Sequence, residues 1–150
     1  MEIVSSAATD AKHIEFLSPI LPQIPIFAPL NEEQIRTLLY FIQVVRFDQG
    51  EMIIKRGEQG NTFFVIHEGS VEVSVESLFG RDTLNTMGAG EFFGELALLL
   101  DQLRSADVVC LEETFCYMMD RESFIRLIEK NPEIGDLVKT AARARFNHTL

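Results

Sequence analysis

The spacing of apolar residues divides the chain into a helical beginning, a central series of strands and a helical end. The most regular alternation covers residues 70–76, where Val71, Val73 and Val75 fall on one side and polar residues on the other. A strand with one buried face produces this pattern. Shorter apolar runs between turns predict six more strands, at residues 43–47, 52–55, 62–67, 83–87, 105–111 and 114–119. Such regularly spaced short strands are typical of an antiparallel β-barrel or jelly roll, also called a double-stranded β-helix.

Helical periodicity flanks the strands on both sides. Asn31 followed by Gln34 matches a capping box. Apolar residues then recur at helical spacing, namely Ile35, Leu38, Leu39 and Ile42. After the strands, Asp120 can cap a helix over residues 121–130, and the Asn-Pro pair at 131–132 can start the last helix. The predicted fold class is therefore mainly β, with helices before and after the strands.

The first 23 residues are expected to form a linker and a short helix. Residues 1–9 are small and polar, which predicts a frayed or linking segment. Residues 10–17 have a helical pattern with Asp10 as the cap. Four of the five prolines fall in residues 19–29, where they exclude a long helix. The apolar residues between them favour a docked connector or short helical turns over a solvated linker.

Composition narrows the classes of function. The chain has 150 residues, enough for one domain, and 47% of them are hydrophobic. Its net charge of −10 argues against binding to DNA, RNA or an anionic membrane surface, so an anionic ligand would need a local, partly desolvated site. No apolar run approaches the roughly 18 residues of a transmembrane helix, and the first residues lack a signal-peptide pattern. We therefore expect no membrane insertion and a cytoplasmic location.

Cysteine and histidine positions give no sign of catalysis or metal binding. Cys110 and Cys116 lie in apolar runs without metal-ligand spacing, so buried free thiols in a reducing compartment are favoured over a disulfide. A barrel metalloenzyme of the cupin type would need clustered ligands, whereas His13, His67 and His148 fall on three different elements. No nucleophile-and-base pair stands out either. We expect no enzyme activity, no metal and no cofactor beyond a bound ligand.

Candidate chemistry is concentrated in residues 93–106. Gly94 precedes a short apolar helical turn, where glycine lets backbone N–H groups approach a ligand and the helix N-terminus favours phosphate. Arg104, nine positions after Glu95, could pair with phosphate oxygens in a fork. Alone, Glu95 could simply complement the helix dipole, and Arg104 could be a solvated or ion-paired surface residue. Together and in this order they favour a ligand with hydroxyls and one phosphate, which is a nucleotide.

The order of these elements resembles the cyclic nucleotide-binding domain family, which includes regulatory subunits of protein kinase A, cyclic nucleotide-gated channels and bacterial catabolite activators. The resemblance covers roughly residues 24–145. Its strongest part is similar to the family's phosphate-binding cassette and consists of Phe93-Gly94-Glu95-Leu96-Ala97-Leu98 and Arg104-Ser105-Ala106. Residues 57–73 are similar to the family's early strand-turn pattern. The resemblance implies a cyclic nucleotide-binding domain over residues 24–150, with a barrel at about 42–119 and C-terminal helices at about 120–147.

The resemblance also implies a role for each matched residue. Arg104 would pair with the exocyclic oxygens of the cyclic phosphate, and Glu95 would accept a hydrogen bond from the ribose 2′-hydroxyl. Backbone N–H groups around residues 94–96 and 105–106 would complete the cradle. The residues expected to contact the ligand are Phe93, Gly94, Glu95, Leu96, Ala97, Arg104, Ser105, Ala106, Val71 and Val73.

The residues that contact the base, and the residue that covers it, are less well defined by the resemblance. Ser105 could contact the phosphate or a purine edge, and Val71 and Val73 could equally wall the base or pack in the core. Asp107 departs from the family, which often has Thr or Ser there, and we expect its carboxylate to reach solvent rather than the base. The base cap would come from the last helix or a partner, although a frayed end is favoured over a capping role. The candidates in this chain are Arg145, Phe146 and His148.

The predicted function is a sensor that binds a cyclic mononucleotide without catalysis, with cAMP preferred and cGMP open. Ligand binding is expected to draw the cassette inward and to act through the C-terminal helices on an effector outside this chain. A homodimer through the last helix is possible on its apolar stripe, which can equally pack on the barrel. The alternative function is a degenerate copy of the fold that serves as a protein-interaction scaffold, although intact Glu95 and Arg104 argue against it.

Overall fold

Within residues 1–147, which the computed structural model describes with side chains through residue 144, nine strands form two sheets. The strands are β1 (Glu2–Ser6), β2 (Gln43–Phe47), β3 (Met52–Ile54), β4 (Thr62–Glu68), β5 (Ser70–Ser77), β6 (Gly80–Gly88), β7 (Phe92–Phe93), β8 (Asp107–Cys110) and β9 (Thr114–Asp120). One sheet has the order β1-β2-β9-β4-β7 and the other β3-β8-β5-β6. The pairs β2–β9, β4–β9 and β4–β7 of the first sheet and all three pairs of the second sheet are antiparallel.

Side chains from both sheets share one apolar core. The rings of Phe47 and Phe64 meet edge to face with 6.0 Å between centroids, and Phe64 stacks on Phe93 at 5.3 Å. Val71 of β5 and Cys110 of β8 join them from the other sheet. Each large apolar side chain buried here contributes about 1.5–3 kcal/mol. The two sheets therefore face each other as a roll without joining into a closed barrel, and the predicted mainly-β fold with flanking helices is confirmed.

The first residues of the chain form a strand, so the expectation of a frayed segment over residues 1–9 is wrong. β1 lies at the edge of the five-stranded sheet, next to β2. Arg46 of β2 donates from Nε and Nη2 to the Glu2 carboxylate, both at 3.2 Å. The segment has a polar composition because an edge strand is largely exposed, and three of its five residues are.

The hairpin of β5 and β6 is longer than the sequence predicts. Its tip is Leu78 and Phe79, and the ladder starts at Ser77 opposite Gly80 rather than after Asp82. A β-bulge interrupts the ladder, since Val73 pairs with Asn85 but the next residue, Ser74, pairs with Thr83. Such a bulge redirects the side chains that follow it. The four-stranded sheet therefore presents Asn85 opposite Val73.

Contacts within the chain group the β-strands (Met1–Ser5 and Gln43–Asp120) as one unit and the helices (Ser6–Ile42 and the chain from Arg121) as another. The helices are α1 (Ala11–Leu17), α2 (Glu32–Leu39), α3 (Arg121–Lys130) and α4 (Pro132–Asn147), with 3-10 turns at Ala7–Thr9 and Leu21–Gln23. No helix in the described part of the chain combines the length and the apolar character needed to cross a bilayer.

Two local predictions for the helical unit are confirmed. The capping box of α2 is present, because Asn31 Oδ1 accepts from the Gln34 N–H at 2.8 Å and Gln34 Oε1 accepts from the Asn31 N–H at 2.9 Å. The proline-containing connector is docked, because Ile24 and Phe27 are fully buried and the Phe27 ring lies 6.5 Å from that of Phe124.

Candidate functional site

A cavity of about 380 Å³ opens in the β-unit beside the four-stranded sheet. Residues of β3, β5, β6 and β8 form its wall, and the segments at 93–97 and 102–106 close it. The lining residues are Ile54, Val73, Asn85, Met87, Phe93, Gly94, Glu95, Leu96, Ala97, Gln102, Leu103, Arg104, Ser105, Ala106 and Val108. The volume lies in the range of small-molecule sites.

The backbone of Arg104 is fixed by the turn that follows β3. Its N–H donates to the Glu58 carbonyl at 2.8 Å, and its carbonyl accepts from the Gly57 N–H at 2.9 Å. One step away, the Gly60 N–H donates to the Gln102 carbonyl at 2.9 Å. These bonds hold residues 57–60 and 102–104 together, so the position of the Arg104 side chain is set from outside its own segment.

The guanidinium of Arg104 lies on Thr62, between two glycines. Nη2 donates to the Thr62 carbonyl at 2.7 Å and to Thr62 Oγ1 at 3.2 Å. A Cβ added to Gly60 would lie 2.8 Å from Arg104 Nε, and one added to Gly94 would lie 2.9 Å from Nη1. Only glycine leaves room for the arginine at these two positions.

Arg104 carries an uncompensated positive charge into the cavity wall. It forms no ion pair with any carboxylate among residues 1–144. Burial lowers the pKa of Arg104, but an arginine remains a cation at neutral pH. Its bonds to Thr62 use Nη2 alone, which leaves the Nε and Nη1 donors for an anion. The net charge of −10 repels an anionic ligand, and the positive charge of Arg104 offsets that repulsion at the cavity.

Gly94 and Glu95 follow β7 and also line the cavity. Gly94 has φ +81° and precedes the 3-10 helix Glu95–Leu98, which is the short helical turn that the sequence predicts after this glycine. The Ala97 N–H donates to the Gly94 carbonyl at 3.1 Å, so that donor closes the turn. Glu95 is half-buried and lines the cavity. A carboxylate acceptor and a guanidinium donor thus border one space, as a ligand with hydroxyls and a phosphate requires.

The structure brings nine of the ten sequence-predicted site residues to this cavity. Those nine are Phe93, Gly94, Glu95, Leu96, Ala97, Arg104, Ser105, Ala106 and Val73. The tenth, Val71, lies elsewhere: it is fully buried in the apolar core between the sheets. The side chains of Arg145 and Phe146 and the whole of His148 lie outside the described residues.

Asp107 does not reach solvent, and the expectation that it would is wrong. It is only 6% exposed, and its carboxylate forms an ion pair with Arg81 at 2.7 Å. Because Val108 lines the cavity, strand alternation places Asp107 on the other face of β8. It borders neither the base region nor bulk water.

Sequence reasoning missed several parts of the site. Asn85 and Met87 line the cavity from β6, where the bulge sets which side chains face inward. Gly60 has no positive φ, and it is buried against the Arg104 side chain. Its spacing two residues before Thr62 carries no local signal of that contact. The predicted free thiols are confirmed, since Cys110 and Cys116 are buried and unbridged, and burial raises the pKa of Cys116 to about 12.

The two-sheet roll, the glycine-led turn and the cavity bordered by an arginine and a glutamate are features of a domain that binds a small molecule. The family model "Cyclic nucleotide-binding domain" matches residues 44–131. This match covers more than half of the chain, which therefore belongs to the cyclic nucleotide-binding domain family.

Curated relatives include protein kinases of several organisms. The cGMP-dependent protein kinase isozyme 2 (forms cD5/T2) of Drosophila melanogaster is 33% identical over 121 residues, which are 78% of this chain and 13% of the kinase. The human cGMP-dependent protein kinase 2 is 33% identical over 124 residues, 80% of this chain and 16% of the kinase. The cGMP-dependent protein kinase of Eimeria tenella is 37% identical over 119 residues, 79% of this chain and 11% of the kinase. The chain thus spans less than a fifth of the length of these relatives.

Solved structures share the fold. The N-terminal domain of a transcriptional regulator from Streptomyces coelicolor A3(2) matches with a TM-score of 0.77 and 26% identity, over 87% of this chain and 92% of that one. The structure "cAMP bound PfPKA-R (141-441)" matches with a TM-score of 0.72 and 27% identity, over 79% and 43%. The catabolite activator protein of Thermus thermophilus matches with a TM-score of 0.63 and 29% identity, over 83% and 59%.

Proposed function

We propose that this chain is a regulatory module that binds a 3′,5′-cyclic purine nucleotide in the cavity and performs no catalysis itself. The observation that carries the proposal is Arg104, which is held between two glycines at the cavity and has no carboxylate partner among residues 1–144. A half-buried cation without a counter-ion is costly unless an anion binds there. We assign the binding domain to residues 24–150.

Each part of the ligand has a partner in this proposal. Arg104 donates to the exocyclic phosphate oxygens from its guanidinium, and Glu95 accepts a hydrogen bond from the ribose 2′-hydroxyl. The backbone at residues 94–96 and 105–106 completes the cradle. Val73 and Met87 offer apolar surface to the base, and the Asn85 amide lies on the same wall as a donor and acceptor for a purine edge.

Which of the two purine nucleotides, cAMP or cGMP, binds more tightly is a separate proposal. The sequence favoured cAMP and left cGMP open. The three relatives named above are cGMP-dependent kinases, whereas PfPKA-R is cAMP bound. Ser105 is exposed beside Arg104, and a hydroxyl there is compatible with either purine. On the relatives we propose cGMP as the tighter ligand.

Calorimetric titration of the chain with cGMP and cAMP tests the function. We expect saturable heat with at least one of them, and little or none with the linear 5′-monophosphate, whose extra charge and free 3′-hydroxyl do not match the cradle. Glu95→Ala should bring the ribonucleotide down to the affinity of its 2′-deoxy analogue and leave the analogue itself nearly unchanged. No heat with either cyclic nucleotide would overturn the proposal and favour the protein-interaction scaffold.

The helical unit is the proposed output. α3 begins at Arg121, directly after β9 ends at Asp120, so no loop residue separates the last strand from this helix. We expect a ligand to change amide hydrogen exchange in α3 and α4, measured by mass spectrometry with and without saturating nucleotide. Identical exchange in residues 121–147 in the two states would contradict a relay to an effector through these helices.

Two further expectations have unequal support. Buried free thiols at Cys110 and Cys116 fit a reducing compartment such as the cytoplasm. The apolar stripe of α4 gives less support to a homodimer, because Ile134 and Val138 are already buried within the single chain. Only Leu137 and Ala141 of the predicted stripe are half-buried and remain partly accessible to a second copy.

A further inference from the structure

Asp107 places a buried carboxylate directly behind the cavity wall. It is the first residue of β8, after Ser105 and Ala106. Its Oδ1 accepts from the backbone N–H of Arg56 at 2.7 Å, and its Oδ2 accepts from Arg81 Nη1 at 2.7 Å. Both carboxylate oxygens are therefore used, each by a partner distant in sequence.

The first partner belongs to the turn that holds Arg104. Arg56 directly precedes Gly57 and Glu58, the residues whose backbone bonds fix Arg104 at 2.9 and 2.8 Å. The turn is therefore bonded to the chain on both sides of Ser105 and Ala106. Gly57 and Glu58 bond to Arg104, before this pair of residues, and Arg56 bonds to Asp107, after it. Loss of that bond would free one end of the turn.

The second partner belongs to the hairpin that supplies the far wall. Arg81 Nη1 also donates to Ser74 Oγ at 2.9 Å, and Ser74 is 1% exposed. This contact lies next to the bulge, where Ser74 pairs with Thr83 and Val73 pairs with Asn85. A bulge weakens the ladder locally, so a second fixing point helps to hold Asn85 at the cavity.

The electrostatic surroundings keep Asp107 ionised. The N–H of Arg56 and then the Arg81 guanidinium lower the pKa of Asp107, with a smaller contribution from Lys55. Glu72 and Glu76 act on Arg81 rather than on Asp107. Hydrogen bonds to an ionised group are stronger than neutral ones, so both bonds to the Asp107 carboxylate are charge-assisted.

We propose that Asp107 is a positioning residue of the nucleotide site: its carboxylate fastens the turn at 56–60 and the β5–β6 hairpin to the strand that follows Ser105 and Ala106. Arg104 and the cavity wall are thereby held in their binding arrangement before a ligand arrives, which lowers the ordering cost of binding. The part of this inference that concerns ligand affinity rests on the proposed function. The connection of the three segments does not.

The test compares Asp107→Asn with a matched control. The two donors approach different carboxylate oxygens, and Asn replaces one of those oxygens by an NH₂ donor, so one of the two bonds is lost. We expect Asp107→Asn to weaken cyclic nucleotide binding about tenfold, mainly through faster dissociation, the scale of one charge-assisted hydrogen bond. Asp48→Asn makes the same charge change at a carboxylate that is 70% exposed, lies 2.6 Å from Arg46 and lines no part of the cavity. Its affinity should stay within about twofold of the parent.

A second measurement separates positioning from general destabilisation. The amides of Gly57, Gly60 and Arg104 should exchange hydrogen faster in Asp107→Asn, whereas those of the central strand β9 should not. Because the folded pKa of Asp107 is depressed, its stabilising charge is present above the ordinary pKa near 4 and is lost below it. The difference in unfolding free energy between parent and Asp107→Asn should accordingly be constant from about pH 5 to 8 and shrink below about pH 4.

The outcomes are distinct. Parent-like affinity in Asp107→Asn, or an equal loss in Asp48→Asn, would overturn the inference. Uniformly faster exchange that includes β9 would reduce Asp107 to a general stabilising residue and also overturn it. If Asp107→Asn does not fold, Arg81→Gln, which leaves the Arg56 bond intact, should speed hydrogen exchange in the β5–β6 hairpin and leave the amides of Gly57, Gly60 and Arg104 unchanged. If the parent binds no cyclic nucleotide, the proposed function fails, and the exchange experiment still decides whether Asp107 holds the turn.

Discussion

Replacing Arg104 with alanine is expected to weaken binding of the cyclic nucleotide at least about a hundredfold. Two hydrogen bonds to a charged phosphate contribute about 1.5–3 kcal/mol each, and every 1.4 kcal/mol is about tenfold in affinity. No other cation lines the cavity among the described residues, so nothing there can substitute for it. Titration calorimetry of parent and variant with the tighter-binding cyclic nucleotide measures the loss.

Two variants show whether geometry or net charge is responsible. Arg36→Ala removes an exposed arginine that pairs with Glu32 on α2 at 3.3 Å, and it changes the net charge by the same amount. It should bind like the parent. Arg104→Lys keeps the charge but loses the planar fork, so its affinity should lie between those of the parent and Arg104→Ala. Equal losses in Arg36→Ala and Arg104→Ala would contradict a local phosphate site.

Loss of binding in Arg104→Ala should not come from unfolding. Arg104 is half-buried, and among the described residues its guanidinium donates hydrogen bonds only to Thr62, so its desolvation offsets much of what those bonds contribute. We expect the free energy of unfolding to stay within about 1 kcal/mol of the parent, as for residues kept for function rather than stability. Chemical denaturation of both proteins measures this directly.

Local sequence patterns predicted the fold and the core of the site because each depends on neighbours a few residues away. The alternation at residues 70–76 predicted a strand with a buried face, and the spacing of Asn31 and Gln34 predicted the capping box. Gly94, Glu95 and Arg104 were recognisable because the cassette is nearly contiguous. In each of these stretches the spacing of the residues along the chain is enough to indicate the local structure.

Features that depend on distant partners could not be predicted from the same patterns. Asp107 was expected in solvent, yet its partners Arg56 and Arg81 stand 51 and 26 residues away. The inward position of Asn85 follows from a bulge that alternation cannot foresee. The first strand was missed because an exposed edge strand has the composition of a linker. The position of each of these residues depends on a partner that is distant in sequence, and local periodicity gives no information about such partners.

Gly94→Ala should damage both the fold and the site. Gly94 has φ +81°, and a Cβ there would lie 2.8 Å from the Thr62 carbonyl oxygen and 2.9 Å from Arg104 Nη1. A left-handed backbone costs a non-glycine residue about 1–2 kcal/mol, and the crowding adds about 1–3 kcal/mol. We therefore expect a loss of about 2–5 kcal/mol in the free energy of unfolding, together with loss of ligand binding because the Cβ displaces Arg104 from Thr62.

Substitutions at two other glycines separate the cost of backbone strain from the cost of crowding at Arg104. Gly57 has a similar φ of +87° but open space around its Cβ position, so Gly57→Ala should cost only the backbone strain, about 1–2 kcal/mol. Gly60 has no positive φ, and the three atoms nearest to its Cβ position all belong to the Arg104 side chain, at 2.8 to 3.1 Å. Gly60→Ala should therefore weaken binding with little loss of stability, because the flexible side chain moves away and loses its alignment. If Gly60→Ala binds like the parent while Gly94→Ala is only as unstable as Gly57→Ala, the two glycines do not hold Arg104, and its orientation must come from Thr62 alone.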